Sequence, residues 1–395
     1  MSGSLRISAA EVTSVALPVR GQLRHSDEQM PPHAVRHILR LRTDAGVTGV
    51  GDASPRLSVP GFRAAADQLV GRDPFNLADI GLRLMSEKFY RMELANIAAA
   101  VQMACLDIQG KVAGQPASAL LGGQLTDRVP VIGYLFRKVG VDGLPDVLSD
   151  AELLDEAGRL VRTYGCRTLK YKAGVLRPEA DIATSFALRE AFDAAHLRVD
   201  PNAAWSVPTA LSVARALDSA ELEWLEDPTS GQEAMAEVNA RTTMPTATNM
   251  CCIQPKEFPS AARLRAFDVM LLDLWYLGGP ASARRMAETC RTFGIGTGVH
   301  AGGGSSETAI GLAAQAHLAA SLPGLVHAMD TMNHELTDDL VTQPWQYADG
   351  ALLLPDAPGL GVELDEDKLA RYARAYEQRP ETAPRTVGFP SYPIF

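Results

Sequence analysis

The sequence predicts an α/β protein: a barrel of parallel strands and helices that carries an α+β capping domain. Three observations predict it. Between Val129 and Asp330, eight short apolar runs alternate with helical segments, the pattern of repeated βα units. Ahead of them, residues 5–113 read as strands followed by helices, a separate α+β unit. Six successive runs of the eight end in polar side chains, at the C-terminal strand ends where such a barrel places its chemistry. The full expectation is a modified (β/α)7β barrel of the TIM type over residues 129–350. Residues 1–128 form the cap, and 351–395 return to it.

In order along the chain, residues 5–17 and 34–50 have strand character. Ala34–Leu41 alternates, and Thr43-Asp44-Ala45-Gly46 supplies a turn before Val47–Val50. The polar stretch between them, Arg20 to His33 with Pro31-Pro32, reads as a mobile loop long enough to be a lid. Residues 62–113 carry helical periodicity, and Ala98–Ile108 is rich enough in alanine for close packing. The barrel strands are expected at Val129–Phe136, Thr168–Ala173, Leu197–Asn202, Glu223–Asp227, Thr246–Met250, Val269–Leu274, Gly296–His300 and His327–Asp330. Between them, Ser149-Asp150 caps a helix that Gly165 ends, and Pro280 opens another that Gly294 ends. The last portion holds Leu352–Leu354, a Pro/Gly-rich stretch, a helix from Asp365 and a Pro-rich tail.

A formal charge of -10 with no basic tract argues against nucleic acid as a partner. An acidic exterior is still compatible with a local basic site for a small anionic substrate. Five cysteines without a Cys-x-x-Cys pair suggest reduced thiols in a cytoplasmic setting. Cys251 and Cys252 are expected to point to opposite faces of a strand and to serve packing. No signal peptide is visible, and no apolar run approaches the roughly 20 residues of a membrane span.

The chemistry begins at Thr168-Leu169-Lys170-Tyr171-Lys172. Alternation places Lys170 and Lys172 on one face, where each ammonium disfavours the charge of the other. A lysine whose pKa is lowered in this way can act as a general base. The third strand ends in Asp200 and Asn202, the fourth in Glu226, the fifth in Asn249, the sixth in Asp273 and the seventh in His300. Asp200, Glu226 and Asn249 offer three oxygen ligands from neighbouring strands, a set that suits Mg2+ with positions left for water and substrate. Zinc would want His or Cys, and none is expected among them. Asp273 beside His300 would fix the imidazole tautomer. The metal and Lys170 could then neutralise a substrate carboxylate and stabilise the charge that develops when the neighbouring carbon loses its proton. With Lys172 on one face of that carbon and His300 on the other, racemisation is open. If a β-hydroxyl is present, its dehydration is open as well. A barrel that binds an acid without turning it over is a third reading.

These residues resemble the enolase superfamily in its mandelate-racemase-like branch, and most closely the glucarate dehydratases. Four stretches carry the resemblance: Gly133–Phe136, Leu169–Leu176, Asp200–Trp205 and Pro245–Met250. In the last of them, Asn249 stands where most of the superfamily has Glu or Asp as third metal ligand, as in glucarate dehydratases. The resemblance implies Lys172 and His300 as the acid/base pair and Asp273 as partner of His300. It implies Lys170 and Asn202 as electrostatic supports, and Tyr134 and Phe136 as residues lining the substrate site. It also implies loss of water from an acid sugar through an enediolate, giving a 2-keto-3-deoxy (5-keto-4-deoxy) acid, and assembly as a homo-oligomer.

Three departures alter the far end of the site. The family follows its seventh-strand His with Ser-Asn and then a further Asn, where this chain has Ala301-Gly302. The His expected after Asp330-Thr331 is Met332, and the lid-loop His falls near Met30 or Pro31. Losing polar partners there should weaken the hold on a second carboxylate, by about 1–3 kcal/mol each. The expectation is an acid-sugar dehydratase with the chemistry intact and the specificity changed, which leaves open whether glucarate itself is the substrate.

Overall fold

The structure is a computed structural model that describes residues 5–26, 28–84, 92–325 and 327–379. The Pro-rich end of the tail and residues 85–91 of the helical stretch lie outside the described residues.

Ile7–Pro18, His33–Thr43 and Thr48–Ala53 form a three-stranded antiparallel sheet. The alanine-rich helix Met92–Ala113 lies across it and is buried on every side from Ala95 to Gly110. The approach depends on two glycines. A Cβ on Gly49 would come within 2.1 Å of the Ala104 carbonyl oxygen, and one on Gly51 within 1.9 Å of that of Ala100. Small residues on both elements let the backbones touch. The tail helix Glu366–Gln378, capped by Asp365, packs on the outer strand Ile7–Pro18. Arg40 donates to Glu366 there at 2.6 Å.

Seven parallel strands follow: Ile132–Leu135, Thr168–Lys172, His196–Asp200, Trp224–Glu226, Thr246–Thr248, Val269–Leu272 and Gly296–Val299, adjacent in chain order. Two expectations need correction. The first strand is split, because Arg128–Pro130 leaves the barrel to pair with Ala351–Leu353. The eighth is no strand: His327–Asp330 closes the ring through a single bridge, Val131 to Met329. Met329 N donates to Pro130 O at 2.7 Å, and Asp330 N donates to Val299 O at 2.9 Å. Ile132 N returns the bond to Met329 O at 3.1 Å, and Pro130, which has no N–H, adds no rung before it.

The Arg20–His33 segment is also more ordered than a mobile loop. Gly21–Leu23 pairs with Lys138–Gly140, and Ser26 Oγ donates to Asn202 O at 3.3 Å. Cys251 and Cys252 lie in a loop rather than a strand, and all five cysteines are free. Among the described residues no helix is long and apolar enough to cross a membrane.

Candidate active site

The polar strand ends meet at one mouth. Lys170 is fully buried and its Nζ stands at the centre, 2.5 Å from Glu226 Oε1, 2.7 Å from Asp330 Oδ2 and 3.4 Å from Asp200 Oδ2. Lys172 Nζ donates to Asp200 Oδ2 at 2.7 Å and to Asn202 Oδ1 at 2.8 Å. Tyr134 OH donates to Asp200 Oδ2 at 3.3 Å, and its ring faces Lys170 Nζ at 4.8 Å. Phe136 packs on Tyr134, with ring centroids 4.3 Å apart.

A second group faces this one. Asp273 Oδ2 lies 2.9 Å from His300 Nδ1, while its other oxygen accepts from Trp275 N and Tyr276 N and caps a short helix. Asp273 is thereby held in place and fixes Nδ1–H on the imidazole, which leaves Nε2 toward the mouth. The Asn249 amide stands 3.1 Å from that Nε2. The lysines and His300 sit on the second and seventh staves of the ring, so they reach the mouth from different arcs.

The backbone is bent to serve these contacts. Asn202, Ala203 and Asp227 have positive φ of 54°, 60° and 36°. Such left-handed residues are costly unless their surroundings enforce them, and they cluster at functional sites. Asn202 N donates to Asp200 Oδ1, and Ala203 N to Asp227 O. Asp227 in turn accepts from Asn249 N at 2.9 Å and from the Thr248 hydroxyl, which sets the height of the Asn249 loop.

The electrostatics correct one expectation. Burial acts against the charge of Lys170, but the carboxylates of Asp330 and Glu226 overcome it and lift its pKa well above the ordinary value. The neighbouring lysine does not depress it, because acids from three other staves intervene. Burial opposes the charge of Asp200 too, yet Lys172 and Lys170 hold its carboxyl well below the usual range. Glu226 goes the other way: burial, with Asp200 and Asp330 nearby, raises it to about 8 despite Lys170. Glu226 therefore keeps its proton while Asp200 and Asp330 face the two ammonium groups. An oxygen-rich cluster whose third carboxyl can give up a proton to an entering cation fits a divalent ion.

Asp330 belongs to the cluster, and sequence reasoning passed over it. Arg198 holds its other oxygen at 3.0 Å and is itself paired with Glu223 and stacked 3.8 Å from the Trp224 ring. A histidine does stand among the acids, since ligand atoms of Glu226, His300 and Asp330 lie within 4.8 Å of one another. A lid histidine is present as well: the His25 ring lies 5.5 Å from that of Phe136.

Glu307 anchors the segment after Asp330, accepting from Thr331 Oγ1 at 2.6 Å and from Met332 N. Burial raises its pKa from the ordinary 4.5 to about 7. The folded chain therefore keeps a proton that the unfolded chain releases between these values, and this group's contribution to stability falls as pH rises across that window. Glu307→Gln keeps an acceptor without the titration. Its melting temperature is expected to gain on the wild type between pH 5 and pH 7; parallel curves would contradict the assignment.

Fold and mouth together define an enzyme in which several staves of one barrel present acids, lysines and a histidine to a shared centre. The chain belongs to the enolase superfamily. The mandelate racemase / muconate lactonizing enzyme N-terminal domain matches residues 20–122, and the enolase C-terminal domain-like family matches residues 152–368. Among curated relatives, a probable glucarate dehydratase of Streptomyces coelicolor is 36% identical over 94% of this chain and 91% of its own. A chloromuconate cycloisomerase of Cupriavidus pinatubonensis is 29% identical over 88% of this chain and 93% of its own. An enolase from Thermobispora bispora, solved with magnesium and formate, superposes with TM-score 0.89 at 39% identity, over 94% of this chain and 93% of its own.

Proposed function

We propose that the protein is a Mg2+-dependent dehydratase of an acid sugar, similar to the glucarate dehydratases. The observation that carries this reading is the pairing at the mouth. Lys172, held by Asp200 and Asn202, and His300, held by Asp273, come from different arcs onto one acidic cluster. Asp200, Glu226 and Asn249 would hold the metal. The ion supplies positive charge against a substrate carboxylate and against the enediolate oxygens.

Lys170 donates to the same carboxylate and strengthens its hold as negative charge builds there. Lys172, once it has released its own ammonium proton, takes the proton from the adjacent carbon on its amine lone pair, and its contacts with Asp200 and Asn202 orient it for that step. His300, carrying a proton at Nε2, gives it to the departing β-hydroxyl, and Asp273 stabilises the imidazolium. Tyr134 closes the wall beside Asp200, and Phe136 supports it. The relatives include cycloisomerases as well as dehydratases, so the reaction is decided by product. A panel of 2,3-dihydroxy acids with Mg2+ is expected to yield a keto acid. Epimer without keto product would instead favour racemisation by the same pair.

A further inference from the structure

The mouth is two-faced. Its floor is the charged cluster around Lys170, and its roof is apolar. One buried apolar group runs from Ile132 and Ala328 inside the barrel past Tyr134, which pairs with Lys170, and Phe136 to Leu23, Met30, Ala301 and Met332 at the mouth. Its members are placed by the site itself. Ala301 follows His300, Met332 lies two residues after Asp330, Phe136 two after Tyr134, and Leu23 and Met30 come from the segment that folds over the strand ends.

Four cations of the surrounding segments are committed elsewhere. Arg137 bonds Asp150 at 2.5 Å and Thr184 at 3.0 Å, and Lys138 bonds Glu156 and Glu335 at 2.8 Å. Arg56 pairs with Glu28 at 3.2 Å, and Arg36 with Asp52 at 2.7 Å. The ring of His25 against Phe136 and the hydroxyl of Ser26 lie near this roof.

We propose that the cleft selects a monocarboxylate whose far end is apolar: a 2,3-dihydroxy acid ending in a methyl or short alkyl group rather than in a second carboxylate. This rests on the dehydratase reading. The carboxylate head meets the lysine floor and the tail lies among Met30, Ala301 and Met332. The unbranched methionines adapt to the tail's shape. A second carboxylate would lose its water against methyl groups, while the four cations named above already hold other partners.

The test uses matched acids of four and six carbons that share the head and the 2,3-diol and end in methyl, hydroxymethyl or carboxylate. Two signals are followed with Mg2+ in deuterated water: exchange of the α-proton and keto product. The expected kcat/KM falls from methyl to hydroxymethyl to carboxylate, with at least about tenfold between the extremes, carried mainly by KM. Met332→Gln, and independently Met30→Gln, should narrow that ratio. Exchange that is equal for all three ends, or best for the dicarboxylate, overturns the apolar roof as selector and leaves the dehydratase reading intact. Absence of α-proton exchange from every acid fails that reading first, and the selector with it.

Discussion

Replacing His300 with asparagine is expected to lower keto-product formation by about 10^2–10^4-fold. The loss follows from geometry. His300 Nδ1 is tied to Asp273 at 2.9 Å, and its Nε2 is turned to the mouth. An amide at this position has no proton to give a departing hydroxyl. Lys172 keeps its own supports, Asp200 and Asn202. Proton removal from the α-carbon should therefore outlast elimination. The check is the rate of keto-acid formation under saturating Mg2+.

Glu226→Gln should weaken divalent-ion binding by more than about a hundredfold, since loss of an outer partner alone costs a metal site tenfold to a hundredfold. The reason is charge. In the native cluster burial and crowding raise Glu226 to about 8, and an entering cation would displace that proton and gain a carboxylate. Glutamine has no acidic proton to release and no charge to offer, so the cation would enter against two ammonium groups that Asp200 and Asp330 already face. Glutamine retains an oxygen for the Trp224 indole N–H, which donates to Glu226 at 3.1 Å, so the fold should hold. The check is titration of the metal-free protein with Mn2+, followed by the resonance of the free ion. Unchanged affinity would place the cation elsewhere.

The barrel could be read from the sequence because each stave is short, apolar and closed by a polar residue, so Lys170, Asp200, Glu226, Asp273 and His300 announced themselves by position. Asp330 did not. Its stave is one bridge long, and its role depends on Arg198, which is 132 residues away in the chain. The pKa of Lys170 was misjudged for the same reason. Its sequence neighbour is a lysine, while its spatial neighbours are acids from the third, fourth and eighth staves. The apolar roof was equally hidden. Ala301, Met332 and Met30 are unremarkable singly, and only folding gathers them over one cleft. The lid resisted reading because Gly21–Leu23 is a strand only where Lys138–Gly140 pairs with it.

The central claim is that two separate groups move protons at one bound acid. It is tested most directly by proton NMR of an acid substrate in deuterated water, with Mg2+ and the His300→Asn protein. The account predicts that the α-proton signal fades faster than in an enzyme-free control while keto product stays absent. A lasting α-proton signal alongside the lost product, or keto product at the wild-type rate, would contradict it.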